Sequence, residues 1–95
     1  MKDTLYIVMP AYNEEANIQD VTQQWHPVCE RINQEGNEAK LVIANDGSKD
    51  NTFTIMQGLC KQYPHLLPID KTNSGHGATV LYLYRYAINA GAHFV

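Results

Sequence analysis

Three short stretches carry the side chains that could do chemistry: Pro10-Ala11-Tyr12-Asn13-Glu14, Asn45-Asp46-Gly47-Ser48 and Lys71-Thr72-Asn73-Ser74-Gly75-His76-Gly77. The Tyr12 ring can stack on a flat base, a contact worth about 1–3 kcal/mol per base, or it can pack on the start of its own helix. The Asp46 carboxylate can accept the imino N–H of a base in a charge-assisted bond, which discriminates against a base presenting an acceptor there. It can equally serve as an Asx-turn acceptor ahead of Gly47. Ser48 can cap that turn or touch a ribose. Gly75-His76-Gly77 lets backbone approach a ligand closely, with a helix N-terminus behind it. This loop is only a weak likeness of a phosphate cradle. It lacks the third glycine of the dinucleotide fingerprint and the Gly-Lys-Ser/Thr ending of a P-loop. His76 could reach a phosphate but reads rather as an exposed loop histidine, Lys71 and Arg85 could face the crevice but read rather as solvated charges, and Asp50 reads as a cap for the following helix.

The elements that must position these loops alternate. Leu5–Met9 reads as a buried strand broken by Pro10. Residues 15–34 have helical spacing of Ile18, Val21, Trp25, Val28, Cys29 and Ile32, with Pro27 expected to kink or split the helix and Gly36-Asn37 to end it. Leu41–Ala44 is a second strand. A second helix follows Asp50-Asn51-Thr52, with Ile55, Met56, Leu59, Cys60 and Tyr63 as its stripe and Pro64 as its end. Leu66–Asp70 is a third strand, placed at a sheet edge by Pro68. A third helix presents Val80, Leu81, Tyr84 and Ile88 and closes at Gly91. Phe94-Val95 opens a fourth strand. Strand–helix alternation with long connections implies a parallel sheet with helices on both faces, and such sheets bind ligands beyond the carboxyl ends of their strands. All three polar loops leave those ends.

Composition narrows the class. The chain has 95 residues, 44% hydrophobic and 18% charged, with a formal net charge of −3. That is one domain at most, with no electrostatic pull toward nucleic acid or anionic membrane. No apolar run approaches the roughly 20 residues that cross a bilayer, and the N-terminus lacks signal-peptide features, so a cytoplasmic location is the default expectation. Cys29 and Cys60 sit at apolar helix positions and read as reduced core thiols without metal-ligand spacing to the four histidines. The chain stops inside what reads as its fourth strand, so it is expected to be part of something longer.

Val8-Met9-Pro10-Ala11-Tyr12-Asn13-Glu14-Glu15 and Ala44-Asn45-Asp46-Gly47-Ser48-Lys49-Asp50-Asn51-Thr52 together resemble the N-terminal half of a family 2 inverting glycosyltransferase. Asn73-Ser74-Gly75-His76-Gly77-Ala78 and Ala87-Ile88-Asn89-Ala90-Gly91-Ala92 are similar to that family's third signature. The resemblance covers essentially the whole chain. It implies an α/β fold: a parallel, Rossmann-like, three-layer α/β/α sandwich, part of the nucleotide-diphospho-sugar transferase fold called GT-A. Residues 1–95 would be its N-terminal nucleotide-sugar-binding part, cut short.

The resemblance also implies roles. Tyr12 would stack on the base, usually uracil, beside the Pro10 and Ala11 backbone. Glu14 would approach the ribose or base, and Asp46 would hold the base imino group. Ser48, Gly75 and Gly77 would line the nucleotide side of the cleft, and Asp50 would be structural. Asn45 stands where many relatives carry a first aspartate, and Leu83 where relatives often have glycine. The Asp-x-Asp that binds Mn²⁺ or Mg²⁺, the catalytic base and the acceptor pocket are all expected downstream of Val95, with no catalytic or metal residue in this chain. The implied reaction moves a sugar from a nucleoside-diphosphate sugar, UDP-linked, to a polysaccharide, lipid-carrier or other hydroxyl acceptor. Any attachment to the cytoplasmic face of a membrane would lie in downstream segments. A nucleotide-binding module without catalysis is the alternative. A nicotinamide-dependent oxidoreductase is disfavoured by the absence of the fingerprint after the first strand. The open sheet edge of such a fragment is expected to favour dimerisation.

Overall fold

A computed structural model describes residues 3–92. Their order is β1 (Thr4–Ala11), α1 (Ile18–Gln34), β2 (Glu38–Asp46), α2 (Thr52–Leu59), β3 (Leu66–Lys71) and α3 (His76–Asn89). The expected fourth strand at Phe94-Val95 lies outside the described residues.

The described strands form one parallel sheet in the order β1-β2-β3. The central strand explains the arrangement. Leu41-Val42-Ile43-Ala44 has apolar side chains at successive positions, so it must be covered on both faces, as parallel strands are. Leu41 and Ile43 face one cluster with Ile18 and Cys29 of α1 and Met56 and Leu59 of α2. Val42 and Ala44 face a second cluster with Leu83 and Ala87 of α3. The result is the expected three layers. Pro68 lies in β3 at the sheet edge, where its missing donor costs no central ladder bond.

Several local expectations are corrected. β1 is not broken by Pro10. It runs on to Ala11, with Pro10 paired to Ala44 and Ala11 to Asn45. Pro10 is tolerated because β1 is bonded on one side only among the described strands. The first helix starts at Ile18 rather than near Glu15, and Pro27 does not split it. Pro27 and Gln23, whose carbonyl loses its donor, both face solvent, so water can satisfy the freed carbonyl.

The buried face of α1 is also rotated from the expected one. Trp25 and Val28 are exposed, while Ile18, Thr22, His26 and Cys29 are buried. The two polar members are satisfied. Thr22 Oγ1 donates to the Ile18 carbonyl at 2.9 Å. His26 Nε2 accepts the His65 N–H at 3.0 Å, and Nδ1 faces Glu30 Oε1 at 3.2 Å, tying α1 to the start of β3. Cys29 and Cys60 are free thiols, as expected, and burial pushes the Cys29 thiol up to about 11.

The third helix shows the same rotation. Its buried residues are Thr79, Leu83 and Ala87, whereas Leu81, Tyr84 and Ile88 are exposed. Leu83, where relatives often have glycine, fills the core against β1 and β2. Both long helices close with Schellman hydrogen bonds, Asn37 N to Ile32 O at 3.2 Å and Ala92 N to Ala87 O at 3.0 Å. Ile88 is 66% exposed, so Ile88→Ser is expected to change stability by no more than about 0.5 kcal/mol in urea denaturation. A loss several times larger would mean that α3 buries the other face.

Candidate functional site

The register places the carboxyl ends of the strands level, with Ala11 opposite Asn45 and Asp46 opposite Lys71. The three polar loops therefore emerge side by side. They enclose an open cleft of about 480 Å³ lined by Pro10, Ala11, Tyr12, Glu14, Asp46, Asn73, Gly75 and His76. Of the residues expected at a ligand, Pro10, Ala11, Tyr12, Glu14, Asp46 and Gly75 come together here. Ser48 and Gly77 do not line the cleft. Asn73 and His76 do; the sequence marks Asn73 only as a member of the loop that follows β3, and His76 as a loop histidine that could reach a phosphate.

The first two loops are zipped together by a reciprocal set of bonds. Asn13 adopts φ 52, a left-handed conformation that asparagine tolerates. Its N–H donates to Ser48 Oγ at 2.9 Å, and its Oδ1 accepts the Lys49 N–H at 2.9 Å. The Glu14 N–H donates to Thr52 Oγ1 at 2.9 Å. Ser48 thus acts as a clasp: its hydroxyl also donates to Asn45 Oδ1. Asn45 Nδ2 in turn donates to Asp70 Oδ1 at 2.9 Å. An aspartate at position 45 could not make that last bond, so the amide suits this chain. Asp50 holds the start of α2 as expected, accepting the Thr52 N–H at 3.0 Å and the Thr52 hydroxyl. Its Oδ2 accepts the Glu15 N–H at 3.3 Å. The Thr52 hydroxyl bond leads in pulling the Asp50 carboxyl below its ordinary range.

The second and third loops meet through Asp46, which is 3% exposed. Its Oδ1 accepts from Lys71 Nζ at 3.0 Å and from the Ser74 N–H at 2.9 Å. Its Oδ2 accepts the Gly75 N–H at 3.1 Å. Gly75 can offer that N–H because it holds φ 91 and ψ 161, a region open essentially to glycine alone. The Asn73 amide adds a bond to the Asp46 carbonyl at 3.1 Å.

Lys71 corrects the sequence reading. Its side chain is not a solvated charge but is 13% exposed, bonded to Asp46, to the Thr72 carbonyl at 2.9 Å, to Ser74 Oγ at 2.5 Å and to Thr79 Oγ1 at 3.3 Å. Its partner Asp46 lies 25 positions back along the chain, which is why neighbouring residues give no hint of the pair.

Burial alone would raise the Asp46 carboxyl, but the Ser74 N–H, the Lys71 ammonium and the Thr79 hydroxyl outweigh it and hold it at about 2. An unfolded aspartate titrates near about 3.9. Because the folded value is the lower, Asp46's contribution to stability is complete above about pH 4 and is lost as pH falls toward about 2. The urea midpoint is therefore expected to drop across that window, and to drop less in Asp46→Asn. Equal acid sensitivity in the two proteins would contradict the assignment.

Residues 6–89 match the family model for glycosyl transferase family 2. The chain belongs to that family. Proteins similar to it include a UDP-N-acetylglucosamine–dolichyl-phosphate N-acetylglucosaminyltransferase of Methanococcus voltae, 40% identical over 55 residues, which cover 58% of this chain and 19% of that protein. A dolichyl-phosphate beta-glucosyltransferase of Trichomonas vaginalis is 34% identical over 76 residues, 77% of this chain and 23% of that protein. An undecaprenyl-phosphate 4-deoxy-4-formamido-L-arabinose transferase of Pseudomonas fluorescens is 27% identical over 77 residues, 79% of this chain and 22% of that protein. The chain thus spans about a fifth to a quarter of the length of the curated relatives it matches.

Family 2 membership accounts for an α/β sheet whose three motif-bearing loops share one edge. Among the described residues, no three His, Cys, Asp or Glu side chains gather as a metal-ligand set. Among the same residues, no helix is long and apolar enough to cross a membrane.

Proposed function

We propose that this chain forms the donor-nucleotide site of a glycosyltransferase that moves a sugar from a nucleoside-diphosphate sugar to a lipid-phosphate carrier, with inversion at the anomeric carbon. The observation that carries the reading is the cleft itself. An exposed aromatic ring, Tyr12, stands at one wall, and an ionised carboxylate, Asp46, sits among backbone N–H groups at another. A base stacked on Tyr12 and hydrogen-bonded to Asp46 is fixed in plane and in rotation. Glu14 also lines the cleft, where it could meet the ribose or base. The residues of this chain then supply positioning, the entropic share of catalysis.

The similarity to transferases named for dolichyl and undecaprenyl phosphates supports a lipid-phosphate acceptor. Such an acceptor has a chemical consequence. A phosphate monoester has its second pKa near about 6, so its oxygen is largely anionic at neutral pH. It can attack the anomeric carbon directly, displacing the nucleoside diphosphate, without a carboxylate base to deprotonate it. A hydroxyl acceptor would need that base. In this proposal the Mn²⁺ or Mg²⁺ ligands and the acceptor pocket belong to chain downstream of Val95, and the reaction takes place at the cytoplasmic face of a membrane.

The test is transfer. Protein carrying this chain, incubated with radiolabelled UDP-glucose or UDP-N-acetylglucosamine and dolichyl or undecaprenyl phosphate, is expected to move label into the organic phase. Failure to bind any nucleoside diphosphate, together with failure to transfer from any sugar nucleotide, would sink the reading.

A further inference from the structure

The hydrogen bonds around Asp46 limit what the cleft can recognise. A carboxylate offers about four acceptor positions over its two oxygens. Oδ1 carries two bonds, from Lys71 Nζ and the Ser74 N–H, and Oδ2 carries one, from the Gly75 N–H. Lys71 is held in place by its other contacts: the Thr72 carbonyl, Ser74 Oγ, Thr79 Oγ1 and the Tyr82 ring, 5.7 Å from its Nζ. These contacts hold the ammonium beside Oδ1, and a ligand N–H taking its place would cost the charge-assisted bond of 3.0 Å.

We propose that Lys71 is a specificity-determining positioning residue: by occupying Oδ1 it leaves Asp46 one acceptor position, on Oδ2, so the site takes a base with a single imino N–H and gains nothing from a second donor. This rests on the cleft being a nucleotide site. Guanine presents N1–H and a 2-amino N–H side by side, a pair that matches both oxygens of an unencumbered carboxylate. Here Oδ1 already accepts two bonds, from Lys71 Nζ and the Ser74 N–H, so the 2-amino group gains no bond to that oxygen. Uracil presents N3–H alone between two carbonyls, and hypoxanthine presents N1–H alone on the purine frame of guanine. The geometry therefore selects uridine and accepts inosine where it declines the extra group of guanosine.

The test compares four ligands by calorimetry on this chain: UDP, 3-methyl-UDP, IDP and GDP. GDP is expected to bind no more tightly than IDP, since the two differ only in the 2-amino group. Blocking N3 with a methyl group is expected to weaken UDP binding by about tenfold or more, the value of a hydrogen bond to a charged group. Lys71→Met is expected to free Oδ1 and raise GDP affinity relative to IDP by about tenfold. A lysine that merely held the loop together would, on removal, weaken every ligand alike and leave that ratio unmoved. The inference is overturned if wild-type protein prefers GDP to IDP by about tenfold, if 3-methyl-UDP binds as well as UDP, or if folded Lys71→Met keeps the wild-type ratio. Should Lys71→Met lose its circular dichroism signature, the wild-type comparisons decide alone. Binding of none of the four would overturn the nucleotide reading itself, and this inference with it.

Discussion

Gly47→Ala is expected to destabilise the chain by about 2–4 kcal/mol, combining left-handed strain with overpacking. Gly47 holds φ 65, and a Cβ added there would lie 2.6 Å from the Asn73 backbone nitrogen and 2.8 Å from its Cβ. The nearest obstacle is backbone, so no side-chain rotation relieves it. The loop after β3 must move away from the loop after β2. That movement pulls the Ser74 and Gly75 N–H groups off the Asp46 carboxylate, to which they donate at 2.9 and 3.1 Å. Stability and nucleotide affinity should therefore fall together, since Asp46, Asn73 and Gly75 all line the cleft. Urea denaturation measures the first and calorimetry the second. A loss of stability below about 0.5 kcal/mol would show that the two loops are not in contact as described.

Tyr12→Ala is expected to separate the two quantities. Tyr12 is 44% exposed and lines the cleft, so its removal costs the fold little. Its ring forms part of the cleft wall, where a base would stack. Loss of one base stack should weaken nucleoside-diphosphate binding by about 1–3 kcal/mol, while the urea midpoint stays near that of wild type. Unchanged affinity would return Tyr12 to the role of a residue packed on its own helix start. The contrast between the two substitutions is informative: Gly47 acts by building the site, Tyr12 by touching what enters it.

What the sequence disclosed, and what it did not, follows from the range of the interactions. The alternation of strands and helices was legible because Leu41-Val42-Ile43-Ala44 is apolar at successive positions and each polar loop interrupts an apolar stretch. That all three loops share one edge follows from parallel topology alone. The helix faces were misread where apolar residues outnumber the places that bury them. Trp25, Val28, Leu81, Tyr84 and Ile88 remain exposed, while Thr22, His26 and Thr79 are buried because each finds a hydrogen-bond partner. Counting apolar residues cannot see such partners. The same limit hid Lys71, whose burial depends on a carboxylate on the neighbouring strand. Ser48 was legible as a turn residue, but its clasp on Asn13 and Asn45 required the first two loops to be set side by side.

The central claim is that the three loops at the carboxyl edge form one nucleoside-diphosphate site. The measurement that tests it most directly is a UDP titration of the isotopically labelled chain followed by amide chemical shifts. Saturable shifts are expected on Ala11 to Glu14, on Asp46 and Gly47, and on Asn73 to Gly77, with the opposite edge around Asn37 and His65 unmoved. Absence of any saturable shift, or shifts centred on that opposite edge, would contradict it.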